Sequence, residues 1–246
     1  MKKLSLVIPI YNEERTLEKL IGKVLAIKLP QRISKELILV DDGSKDSSRE
    51  IMTSLKKKHT EIKIYFNPKN LGKSQTVKKG LTKTTGEFVI IQDADLEYNP
   101  KEISDLLTLM IDNSLDVVYG NRFGKKNKVI YIQNYIGNKF LSFVSNLFTY
   151  PRLHIWIPDL ETCYKLMRGD IARKMARQIE STSSFGLEPE ITARLSKLKK
   201  KEKHLKFGIV PITYKPRTVK EEKHMKAFKD GTKALWEIFY FNLLRR

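Results

Sequence analysis

Short apolar runs alternate with amphipathic segments through the first half of the chain. Runs rich in Ile, Leu and Val at 4–10, 36–40, 62–66, 87–91 and 116–119 predict buried strands. Between them, apolar positions recur at helical spacing over 13–26, 47–57, 73–82 and 103–111. Strands separated by helices imply βαβ units with right-handed crossovers. The expected fold is therefore α/β, with an open, mostly parallel central sheet flanked by helices. The second half is less regular. It predicts a long amphipathic helix over 131–148, a short strand at 162–167 and helices at 171–177 and 188–199. A strand at 207–214 and a final helix over 223–244 follow. No repeat or low-complexity linker interrupts the chain, so a single domain over 1–246 with a variable carboxyl-terminal third is the simplest organisation.

Charge narrows the partners. Lys and Arg number 47 against 28 Asp and Glu, a net +19, which favours polyanions: nucleic acid, an anionic membrane surface or phosphorylated substrates. The lysines are scattered over helices, and no helix-turn-helix or RNA-binding aromatic signature accompanies them, which argues against a nucleic-acid binder. The lone Cys163 excludes an internal disulfide. The opening MKKLSLVIPIYNEE starts like a signal peptide but soon meets Pro9 and a charged pair, as a buried first strand would. No apolar run approaches the ~20 residues needed to span a bilayer. The expected location is cytoplasmic, peripheral at the membrane face.

Candidate chemistry gathers at predicted strand ends. The segment QDADLEYNP (92–100) puts Asp93 and Asp95 just after the fourth strand, where open α/β sheets bind ligands. Residues i and i+2 of extended chain share a face, so both carboxylates can turn to one point. So close, they would repel, and a hard divalent cation, Mg²⁺ or Mn²⁺ holding a diphosphate, resolves the conflict. A solvated turn capping the next helix is the bland alternative. The first strand ends PIYNEE (9–14). Tyr11 and Glu13 there suit a nucleobase, while Asn12 could simply cap a helix. The second ends VDDGSKDSS (40–48), whose acids suit ribose hydroxyls or a capped turn. NPKNLGKSQTVKKG (67–80) lacks Walker spacing; its Lys73 could meet a phosphate or be merely solvated.

Taken in order, VIPIYNEE, VDDGSKDSS, NLGKSQTVKKG and QDADLEYNP resemble the family-two glycosyltransferases of the GT-A fold. The chain looks most similar to the branch holding dolichyl-phosphate mannose synthases and bacterial polyprenyl-phosphate glycosyltransferases. VVYGNRFG (117–124), PDLETCYKLMRGDIA (158–172), FGLEPEITARL (185–195), YKPRTVKEEK (214–223) and FKDGTKAL (228–235) extend the likeness. The resemblance implies a nucleotide-sugar half over about 1–122 and an acceptor half over about 123–246. It implies that Pro9, Tyr11, Glu13, Val40 and Asp42 line the nucleotide pocket. Asp93, Ala94 and Asp95 would bind the diphosphate through the metal, with Glu97 joining where relatives commonly carry Gln. Arg122 would face an acceptor phosphate, and Arg217 and Lys223 would close over the donor phosphates. Lys220 and Glu222 stand where mannose synthases tend to have Gly and Ser, which weakens any inference to GDP-mannose. YIQNY (131–135) lacks the Arg or His of relatives; Lys125, Lys126 or Lys128 could substitute.

A phosphate acceptor is already largely dianionic at neutral pH and needs positioning by Arg122, not deprotonation. A glycan hydroxyl would need a base, and Asp159, Glu161 and Glu188 are the candidates, with strand-end hydrogen bonding favoured for Glu161. Apolar stripes complete the reading: Ile136, Phe140, Phe143, Val144 and Leu147 in one helix, Ala227, Phe228, Leu235, Ile238, Phe239 and Leu243 in the other. Such stripes usually form core, and core packing is the expectation; the alternative is an interfacial helix. Where relatives append transmembrane helices this chain stops, so anchoring is expected to be peripheral or supplied by a partner protein.

Overall fold

In the computed structural model, which describes residues 2–129, 131–182, 186–217 and 227–245, the predicted alternation is realised. Strand β1 (Lys3–Ile10) is followed by α1 (Leu17–Leu25), β2 (Ser34–Asp41), α2 (Ser48–Lys58), β3 (Ile62–Phe66), α3 (Lys73–Thr82), β4 (Phe88–Ile91) and α4 (Ile103–Asp112). Then come β5 (Val117–Asn121), α5 (Ile132–Leu153), β6 (Lys165–Arg168), α6 (Gly169–Gln178) and α7 (Leu187–Lys197). A small hairpin of β7 (Lys199–Lys200) and β8 (Lys203–His204) leads to β9 (Phe207–Pro211), and α8 (Ala227–Phe239) runs into a π-helical turn, Tyr240–Leu244.

Seven strands form one sheet in the order β3-β2-β1-β4-β6-β5-β9. All neighbours are parallel except β6, which runs antiparallel to both β4 and β5. Helices cover both faces, so β4 reads FVII and is buried throughout. The chain moves outward from β1 in one direction through β2 and β3, and in the other through β4. The carboxyl ends of β1 and β4 therefore flank a topological switch point, where a crevice opens. Because β6 is antiparallel, the residues that precede it reach the same edge, and β9 ends there as well.

One buried carboxylate ties the opposite part of the sheet together. Glu36 of β2 accepts from Ser5 Oγ at 2.5 Å, Thr85 N at 2.6 Å and Lys63 Nζ at 2.9 Å. Burial alone would raise its pKa, but these donors outweigh burial and hold it at about 2. Because the folded value lies below the unfolded one, the stabilisation is present above the ordinary glutamate range and is lost as pH falls from about 4.5 toward 2. Glu36→Gln is expected to cost about 2–3 kcal/mol at pH 7, with the gap to wild type closing in acid, measured by urea unfolding across pH.

Candidate active site

At the switch point lies a cavity of about 600 Å³ lined by residues from every loop at that edge. Its first end is built from the loops after β1 and β2. Pro9, Tyr11, Glu13 and Asp42 line it; Val40 is fully buried in β2 beside Pro9 and supports the wall from behind. Asn12 does not cap α1, which begins only at Leu17. It adopts φ 54° and bonds across to the β2–α2 loop, donating N–H to Ser44 Oγ and accepting from Lys45 N. Gly43 is required in that loop: its φ is +76°, and a Cβ would lie 2.6 Å from the carbonyl carbon of Lys69. Asp42 organises the 67–72 segment, accepting from Asn67 Nδ2, Leu71 N and Gly72 N. A carboxylate has about four acceptor positions, so one remains for a ligand.

The centre of the cavity carries the turn after β4. Asp93, Ala94 and Asp95 all line it, and Leu96 takes φ 61° as the chain reverses. Cys163 braces this turn from below: its sulfur accepts from Asp93 N at 3.3 Å and donates to Ile91 O. Two cations crowd the acids. Lys73 Nζ, at the start of α3, lies 2.9 Å from Asp93 and 3.0 Å from Glu188. Burial would lower its pKa, but Asp93 and Glu188 hold it well above the lysine range. Arg217 reaches Glu13 Oε1 at 2.5 Å and sits 4.0 Å from Asp95. Burial first, then Asp93 and Glu97, push the Asp95 carboxyl up to about 8.

Those two aspartates fit a divalent cation. They are hard oxygen donors at one turn, with mutual repulsion that a cation would relieve. Among the described residues no three acidic, histidine or cysteine side chains form a closed cage, and a cation that shares its ligands with substrate phosphates needs only one or two carboxylates. Glu97, expected to join them, has one hydrogen bond on each oxygen. It accepts from Arg217 N and from Tyr214 Oη, each at 2.6 Å, and so fastens the segment after β9 beside the aspartate turn. Lys223, Lys220 and Glu222 lie outside the described residues, as do the side chains of Ala227 and Phe228.

The far end is the mouth. Arg122, just past β5, lines it and is gripped by Asp159: Nη2 to Oδ1 at 2.7 Å, Nε to Oδ2 at 2.8 Å. Asp159 is 1% exposed, and each of its oxygens receives a guanidinium nitrogen. Lys125 pairs with Glu102 at 2.6 Å, Lys126 is exposed, and Lys128 lines the mouth. Tyr131, Asn134, Tyr135 and Asn138 of the α5 region complete it.

The outer face of α5 corrects the expectation of core packing. Ile136, Phe140, Phe143 and Leu147 are 50–60% exposed, and only Val144 of that stripe is buried. What α5 buries is mixed: Leu141, Val144 and Leu153 pack inward beside Ser142, Ser145, Asn146 and Thr149. Asn146 closes a two-way bond with the backbone of Ile157, and Ser142 Oγ accepts from Leu160 N. The terminal helix divides differently, with Ile238 buried and Phe239 and Leu243 exposed. Glu161 also departs from expectation. It makes no strand-end bond through Oε1, which is buried without a partner.

A family model described as glycosyl transferase family 2 matches residues 5–175, more than half of the sequence, and the chain belongs to that family. An uncharacterized glycosyltransferase of Synechocystis sp. is 29% identical over 73% of this chain. The undecaprenyl-phosphate 4-deoxy-4-formamido-L-arabinose transferase of Photorhabdus laumondii is 37% identical over 52%. The chain spans 54% and 40% of those two relatives. Glucosyl-3-phosphoglycerate synthase from Mycobacterium tuberculosis, solved with phosphoglyceric acid, superposes with a TM-score of 0.67 at 15% identity, covering 98% of this chain and 80% of that one. The same enzyme has been solved with Mn²⁺, UDP and glucosyl-3-phosphoglycerate (TM-score 0.62, 14% identity, covering 98% and 80%). The architecture is the GT-A fold.

Proposed function

We propose that the protein transfers a hexose from a uracil- or guanine-based nucleotide sugar to a polyprenyl phosphate at a membrane surface, with inversion at C1. One observation carries the lipid acceptor. The helix that walls the cavity mouth with Asn134, Tyr135 and Asn138 turns Ile136, Phe140, Phe143 and Leu147 to solvent, although its inward face already packs Leu141 and Val144 against α8. An exposed apolar face of this extent marks a binding surface, and its position next to the mouth suits a chain-lipid whose phosphate must enter while its tail stays in the bilayer. The net +19 assists at an anionic leaflet. Among the described residues no helix is long and apolar enough to cross a membrane, so contact through this face is the proposal. The name of the Photorhabdus relative, a transferase acting on undecaprenyl phosphate, supports the acceptor class.

In this reading Pro9, Tyr11, Glu13 and Asp42 hold the nucleotide. Asp93 and Asp95 would hold Mg²⁺ or Mn²⁺, which when bound neutralises the charge left on the departing diphosphate. Arg217 and Lys223 add positive charge over those phosphates. Arg122 orients the acceptor phosphate, with Lys128 as a second cation at the mouth. Asp159 fixes the guanidinium and is a positioning residue. A hydroxyl acceptor would call for a free base, yet Asp159 and Glu188 are each held by a cation, and burial pushes Glu161 toward its protonated form.

The test is the product. Incubation with UDP-glucose or GDP-mannose and vesicles bearing a polyprenyl phosphate is expected to yield a mild-acid-labile, lipid-linked sugar. Transfer only to oligosaccharide would contradict the assignment. In parallel, a Phe140→Glu, Phe143→Glu variant is expected to lose about tenfold or more in vesicle binding with little change in Tm, because both rings are already half in water.

A further inference from the structure

The middle of the cavity holds a carboxylate pair to which nucleotide, cation and acceptor give no role. Glu161, on the approach to β6, and Glu188, in the first turn of α7, both line it. Glu188 shares Lys73 Nζ with Asp93, so it sits one ammonium group away from the aspartate turn. Glu161 and Glu188 line the same cavity, and the Glu188 charge opposes ionisation of Glu161.

The cations around this pair are taken. Lys73 serves Asp93 and Glu188, Arg122 serves Asp159, and Lys165 Nζ donates to the carbonyls of Leu160 and Thr162. Among the described residues, each of these cations is already engaged by protein acceptors. Meanwhile Glu161 Oε1 is buried without a partner, and a buried carboxyl oxygen left unpaired is costly unless a ligand completes it. What completes this oxygen must be a hydrogen-bonding group of the ligand. A sugar joined through C1 to a diphosphate at Asp93 and Asp95 places its hydroxyls in the adjoining space.

We propose that Glu161 and Glu188 read the hydroxyl groups of the transferred sugar and so determine which hexose is accepted. This rests on the nucleotide-sugar reading. Burial first, then Glu188, push the Glu161 carboxyl up to about 8, so near neutral pH it carries a proton and offers both a donor and an acceptor. A ring hydroxyl uses both. A pocket built in this way rejects an epimer because the misplaced hydroxyl leaves the carboxyl unpaired.

Calorimetry on the full chain in Mn²⁺ tests it, with UDP-glucose, UDP-galactose and GDP-mannose set against bare UDP and GDP. Glu161→Ala is expected to weaken binding of the preferred nucleotide sugar about tenfold or more and to narrow the preference between the two UDP-sugars. Its affinity for the bare nucleotide should stay as in wild type, and Glu161→Gln should keep part of the discrimination. Sugar nucleotide and bare nucleotide weakening equally, or neither changing, would overturn the inference while leaving the nucleotide-sugar reading standing. Wild-type protein that bound none of the five ligands would overturn both.

Discussion

Asp95→Ala is expected to slow transfer by roughly 10²- to 10³-fold while leaving Tm unchanged or raised. The carboxylate shares its turn with Asp93 and Glu97, and its ionised form is opposed by both. Removing it relieves that repulsion, so the fold loses little. A cation held at this turn would lose one of its two carboxylates, and with it the charge it would supply to the departing diphosphate. Turnover with a nucleotide sugar, read beside a thermal melt, separates the two effects. Near-normal turnover would remove Asp95 from the mechanism; a collapsed melt would make it structural.

Arg122→Ala is expected to act on stability as well as chemistry. It strands Asp159, which is 1% exposed, as a buried charge without a partner, at a cost of about 3–5 kcal/mol. Activity loss in that variant alone would therefore say little about the acceptor. The double change Arg122→Leu, Asp159→Leu removes both charges and should recover most of the stability, since replacing a buried pair by apolar groups is often neutral. It should still fail to use a phosphate acceptor. Denaturant unfolding of the two variants beside a transfer assay makes the comparison, and a double variant that transfers normally would show that Arg122 does not position the acceptor.

Much of the architecture is legible in the residue pattern. Strands read from apolar runs and helices read from spacing fall within a few residues of the observed elements, and α3 spans 73–82 as expected. The antiparallel insertion of β6 between β4 and β5 has no such signal, because a four-residue strand after an irregular segment carries neither a hairpin turn nor a distinctive period. Periodicity also misassigned α5. A stripe of Ile, Phe and Leu identifies one face but not which way it points; here the inward face is the mixed one, with Leu141 and Val144 packed on Ile238 and Ser142 and Asn146 bonded to the 157–160 backbone. At the site, the strand-tip aspartates stand out less by themselves, since a capped turn also explains them, than by their order with the motifs at the ends of the first two strands. Lys73 and Glu161 stand out for other roles, a phosphate contact and a base, and Cys163 for none at the site. Each acts through a partner distant in sequence: Asp93 and Glu188 for the lysine, Asp93 and Ile91 for the thiol, Glu188 for the carboxyl. Local spacing records none of those pairings.

The central claim is that a divalent cation on Asp93 and Asp95 recruits a nucleotide sugar into this cavity. Titration of the full chain with UDP-glucose and GDP-mannose, with and without Mn²⁺, addresses it directly. Binding of at least one of them should strengthen markedly when the cation is present, and Asp95→Ala should abolish that gain. Equal affinity with and without the cation, or no binding of either, would contradict the account.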